Sequence, residues 1–144
     1  YCEQMIREAG FMSDASATEY KEYLLGQISD SLLRLCRTYA GIKMHIGEMS
    51  MLEAADFFEN NAFITRAAAE AEAQRGIYDP DYILYSIGKL AILQLRDDYK
   101  GYLQSIGENY SLKKFHNNFL MSGQYPVSVI RQKLIPGDTR EIIR

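Results

Sequence analysis

The stretch from Ser16 to Ile42, SATEYKEYLLGQISDSLLRLCRTYAGI, decides the fold. Ser16 with Glu19 three positions later has the reciprocal spacing of a capping box, in which each side chain satisfies the other residue's backbone N–H. After it, Tyr20, Leu24, Ile28, Leu32, Leu35, Tyr39 and Ile42 recur at helical spacing. This predicts one long amphipathic helix, with Gly26 and Gly41 as the places where it would bend or loosen.

The same punctuation extends in both directions. Tyr1 to Ala9 reads as a helix stopped by Gly10, which takes the left-handed conformation without steric cost. Ser50 and Glu53 repeat the capping-box spacing before Met51 to Glu59, with Asn60 and Asn61 as the expected end. The alanine-rich run Arg66 to Arg75 has high helix propensity, Thr65 as its N-cap and Gly76 as its expected stop. Asp79 before Pro80 caps a helix running to about Ile106, since proline at a first helical position lacks only a donor that has no partner there. Ser111 opens Leu112 to Ser122, closed by Gly123, and Pro126 opens a last helix through Leu134. No alternating strand pattern and no Asn-Gly or Asp-Gly hairpin signal occurs. The expected class is all-α, with six to seven antiparallel helices.

At 144 residues and 16.5 kDa the chain has the size of one domain. A composition of 47% hydrophobic and 24% charged residues with only 3 Pro excludes collagen, low complexity and general disorder. Net charge −3 and a pI near 5.4 argue against nucleic acid as a partner, because counterion release needs a basic surface. The most apolar stretch, Tyr82 to Leu95, is interrupted by Ser86 and Lys89 and is shorter than the roughly 20 residues a membrane span needs. The chain opens on Tyr1 without a signal peptide's pattern, which suggests a piece of something longer and leaves the compartment open. Cys2 and Cys36 match no zinc spacing; they could form one disulfide, but buried free thiols are the favoured reading.

Three constellations are candidates for chemistry. In Lys43 to Ser50, His45 leaves the long helix just before a new N-cap. It is either a cap favoured by the helix dipole or an imidazole facing a cleft. In Asp79 to Lys89, Tyr82, Tyr85 and Lys89 share a helical face, so the two phenols are either oxyanion donors or core-rim residues. In Phe115 to Phe119, His116 sits among apolar residues and reads as a packing histidine. Neither histidine belongs to an HExxH arrangement, and this chain alone supplies no recognisable metal site.

These segments carry a family resemblance. Tyr1 to Met5, Lys43 to Ser50, Asp79 to Lys89 with Ile92 to Arg96, and Phe115 through Gly123 to Pro126 are similar, in order, to the C-terminal part of the bacterial domain-of-unknown-function family 885. Members of that family look like helical zinc metallopeptidases related to the carboxypeptidase Taq and angiotensin-converting-enzyme class. The resemblance implies a zinc held by an HExxH helix and the glutamate of an EGWA motif, both preceding Tyr1, and a peptide-like substrate. It implies that His45 is a cleft histidine, that Tyr85 with Tyr82 beside it donates to the tetrahedral intermediate, and that Arg37 and Lys89 face substrate. Arg37 would pair with a substrate carboxylate or brace the helix. Where the family often has an acidic residue four positions before the histidine, this chain has Gly41. On this reading the fragment is inactive alone, pairs with the N-terminal half of the same protein, and self-associates through uncovered apolar surface at Tyr1 to Ala9 and Tyr82 to Leu95. The alternative is a noncatalytic helical module that binds a peptide or a partner helix, which Gly41 favours.

Overall fold

A computed structural model describes residues 1–140. Among them it has no strand and seven α-helices: α1 (Cys2–Glu8), α2 (Ala17–His45), α3 (Met51–Ala62), α4 (Arg66–Tyr78), α5 (Leu84–Ser105), α6 (Leu112–Met121) and α7 (Val127–Leu134). A 3-10 turn, Pro80–Ile83, leads into α5. The all-α expectation therefore holds. No helix among the described residues is long and apolar enough to cross a membrane. The backbone gathers into two compact units, Tyr1–Ser86 and Ile87–Arg144, divided inside the first turn of α5.

The helix starts follow local chemistry. The Ser16 hydroxyl accepts from the Glu19 N–H at 3.3 Å while the Glu19 carboxylate accepts from the Ser16 N–H at 2.9 Å. Ser50 and Glu53 repeat this at 3.3 and 2.8 Å, and Thr65 and Ser111 cap α4 and α6. Ser50→Ala should therefore cost about 1 kcal/mol, read as a lower denaturation midpoint with unchanged m-value. A midpoint equal to that of the unmodified chain would show that the box contributes nothing.

Several helix ends differ from the sequence reading, each for a packing reason. α2 passes unbroken through Gly26, which has open space beside it, and through Gly41, which is buried. It stops at Gly47 (φ +77°), where Gly47 N–H bonds the Met44 carbonyl and Glu48 N–H the Lys43 carbonyl, a Schellman closure. α3 continues past Glu59 because Asn60 and Asn61 turn their amides back onto the Asp56 and Phe57 carbonyls, and the left-handed turn falls on Phe63. Gly76 is no stop. It lies inside α4, buried, where an added Cβ would stand 2.6 Å from the Met44 Cε and 3.4 Å from the Tyr82 ring. Both cysteines are free, but only Cys36 is buried and Cys2 is exposed.

In the first unit the core is Cys36 and Ala40 of α2, Ala54, Ala55, Phe58 and Ala62 of α3, Ala69 and Ala73 of α4, and Tyr82. Alanines on three helices let the backbones close in, and Phe58 fills the centre. The apolar stripe of α2 is largely outside this core: the buried α2 positions are Cys36, Ala40 and Gly41, whereas Ile28, Leu35, Tyr39 and Ile42 are exposed. In the second unit Leu95, Tyr99 and Leu103 recur every four residues along α5 and are buried, as are Phe115, Ile130, Leu134 and Ile135.

Candidate functional site

The end of α2, the middle of α4 and the 3-10 turn share one polar network in the first unit. Arg37 Nε and Nη2 donate to the two Glu72 carboxylate oxygens at 2.8 and 2.5 Å, the forked geometry that suits guanidinium to carboxylate. The Tyr82 hydroxyl lies within bonding distance of that carboxylate and, at 2.9 Å, of the Glu72 backbone carbonyl. Two guanidinium groups flank the Tyr82 ring, Arg37 at 5.4 Å and Arg75 at 5.5 Å from its centroid. Burial together with the neighbouring anionic Glu72 pushes the Tyr82 phenol well above its ordinary range. Burial alone would raise Glu72, but hydrogen bonds from Arg37 and Tyr82 outweigh it and hold the carboxyl below its ordinary value.

This network fixes the approach of the turn to α2. Tyr82 and Ile83 pack beside Gly41, where an added Cβ would meet them at 3.5 and 3.6 Å, ordinary van der Waals contact. One helical turn later, His45 Nδ1 lies 2.8 Å from the Gly41 carbonyl oxygen. A carbonyl can only accept, so Nδ1 carries the proton and Nε2 is left outward, an acceptor when the ring is neutral and a donor when it is protonated. At Gly41, where the resemblance leads one to expect an acidic side chain, a backbone oxygen thus orients the imidazole.

The sequence-predicted residues are distributed as follows. His45 and Tyr85 are both exposed, Tyr85 at 69% in the first turn of α5. Tyr82 is 4% exposed with its hydroxyl engaged by Glu72, and Arg37 is engaged by the same carboxylate. Lys89 is half-buried on α5 in the second unit. His116, also in the second unit, packs its ring 5.6 Å from that of Phe115. Among the described residues no three His, Cys, Asp or Glu side chains are placed to hold a metal.

Glu72 was missed in the sequence, although a signal for it exists. Ala69, Glu72, Ala73 and Gly76 share one face of α4, so a lone carboxylate among small buried residues calls for a cationic partner. A second network was missed entirely. In the second unit, Arg131 is 2% exposed and its Nη2 lies 2.6 Å from Asp98 and 2.7 Å from Asp138. Arg140 reaches the same two carboxylates at 3.2 and 2.7 Å.

Comparison with known proteins gives no match among curated proteins and none among solved structures. Residues 1–134 do match the model of a family described as bacterial protein of unknown function, DUF885. That match covers most of the chain, includes the whole His45, Arg37, Glu72, Tyr82 and Tyr85 region, and makes this protein a member of the DUF885 family.

Proposed function

We propose that this chain forms the substrate-facing side of a peptidase-like hydrolase, contributing Tyr85 and, with its ring protonated on both nitrogens, His45 as hydrogen-bond donors to a carbonyl oxygen as it becomes anionic. The observation that carries the reading is the His45 geometry: an exposed imidazole held through Nδ1 by the Gly41 carbonyl, so that Nε2 is the nitrogen that contact leaves for a ligand. Tyr85 adds a phenol at the start of α5, three residues after Tyr82. Tyr82 and Arg37 are positioning residues in this reading. With Glu72 they tie the last turns of α2 to the turn that precedes Tyr85.

Zinc is the cofactor that the resemblance implies, but the residues present do not fit it, since no three ligating side chains converge among the described residues. HExxH and EGWA are not in the 144 residues, and in this reading those ligands belong to the N-terminal half of the protein. The test is peptide hydrolysis by the protein that carries both halves. Turnover of a fluorogenic peptide should vanish with a chelator, return with zinc, and be absent from the 144-residue chain alone. Hydrolysis-free, saturable peptide binding by the full protein would instead favour a binding module, the reading to which the missing acidic residue at Gly41 lends support.

A further inference from the structure

Ser86 is a buried polar side chain in the first turn of α5, 9% exposed. A buried hydroxyl needs a partner, and a helical serine ordinarily finds one in the carbonyl four residues before it. Ser86 instead donates its hydroxyl to the backbone carbonyl of Arg34 in α2, 52 residues away, at 3.1 Å. The acceptor is itself well fixed. The Thr38 hydroxyl donates to the same carbonyl at 2.9 Å, and the Arg34 guanidinium is forked onto Glu3 at 2.6 and 2.8 Å. Ser86 is also the last residue of the first unit, so this bond lies entirely within it.

We infer that Ser86 is a positioning residue for Tyr85, an inference that rests on the donor role proposed above for the Tyr85 hydroxyl. Tyr82 and Ser86 lie on either side of Tyr85 in the chain and both are buried, Tyr82 bonded to Glu72 and Ser86 to Arg34. Contacts before and directly after Tyr85 fix how the start of α5 is rotated about its own axis. Tyr85 projects about 100° round the helix from Ser86. At 69% exposure its ring gains little hold from burial, so its direction is set by the bonds of its neighbours. Without the Ser86 bond the turn is held only on the side of Tyr82 and of Ile83, which packs beside Gly41. Ser86 touches no substrate in this account. It keeps the phenol aligned with the oxygen that becomes anionic, and turnover is sensitive to such alignment.

In the protein carrying both halves, Ser86→Ala should lower peptide turnover by about 10-fold with KM little changed, since alanine suits the helix and only the bond is lost. In a Tyr85→Phe background the same change should have no further effect on turnover, because the hydroxyl it positions is already gone. A bond that merely stabilised the fold would lower turnover by the same factor in both backgrounds, and that additive outcome overturns the inference. So does full turnover in Ser86→Ala where Tyr85→Phe is impaired, a result that leaves the donor role of Tyr85 standing. Full turnover in Tyr85→Phe removes the donor role, and the inference falls with it. A second measurement is independent of activity. In the 144-residue chain, amide nitrogen relaxation should show Tyr85 losing order in Ser86→Ala, to below the order parameter of about 0.85 typical of rigid backbone, while Ala69 and Ala73 of α4 keep theirs. An unchanged Tyr85 amide overturns the inference whatever the turnover.

Discussion

Replacing Glu72 with alanine is expected to lower the stability of the first unit by about 2–3 kcal/mol. Removing one partner of a fully buried ion pair costs about 3–5 kcal/mol, and the Arg37 and Glu72 side chains, 18% and 17% exposed, keep enough solvent contact to reduce that. The loss reaches beyond the pair. The Arg37 fork and the Tyr82 hydroxyl lose the same acceptor, so Tyr82 keeps only the Glu72 backbone carbonyl. The pH dependence has a definite sign. The folded carboxyl is held below its unfolded value near 4.3, so its contribution is fully present above that pH and disappears as pH falls through the folded value. Urea midpoints of the unmodified chain should therefore fall below about pH 4.5, and Glu72→Gln should be less stable at pH 7 with a shallower acid limb. If Glu72→Ala unfolds at the same midpoint as the unmodified chain, the network does not hold α2, α4 and the turn together.

Arg131→Met should destabilise the second unit by about 3–4 kcal/mol, because methionine keeps volume while removing the buried cation that Asp98 and Asp138 share, although Arg140 still reaches both and Gln94 still donates to Asp98. Arg131 is itself costly to bury, since its Nε and Nη1 have no hydrogen-bond partner among the described residues. For that reason the triple change Arg131→Met, Asp98→Asn, Asp138→Asn should recover a large part of the loss, as the charges are removed together. Asp138 is held well below the ordinary carboxylate range, chiefly by hydrogen bonding from Arg140, so it also contributes above its unfolded value and loses that contribution on acidification. Thermal unfolding with hydrogen exchange resolved along α5 and α7 would measure both effects. A triple variant less stable than Arg131→Met would contradict the assignment of the loss to uncompensated charge.

What was legible in the sequence follows the range of each interaction. Helix starts were readable because a cap is a three-residue event: Ser16 with Glu19 and Ser50 with Glu53 form the boxes their spacing predicts. Helix ends were less so. Gly76 has a stop's local signature, but its conformation is set by Met44 and Tyr82 closing over it from elsewhere in the chain. The stripe on α2 was legible as periodicity, but not which face meets the core. There, Cys36, Ala40 and Gly41 prevail over larger residues because small side chains admit neighbouring backbones. At the candidate site His45 and Tyr85 could be named from the sequence. Their supports, the Arg37–Glu72 pair across 35 residues and the Gly41 carbonyl, depend on tertiary approach and on a backbone atom.

The role of Tyr85 tests the functional account most directly. In the protein carrying both halves, Tyr85→Phe keeps the exposed ring and removes only the hydroxyl. Turnover of a peptide substrate should fall roughly 10²-fold, with KM and melting temperature little changed, as for a donor used mainly in the transition state. Turnover equal to that of the unmodified protein would contradict the account and leave Tyr85 as a surface aromatic.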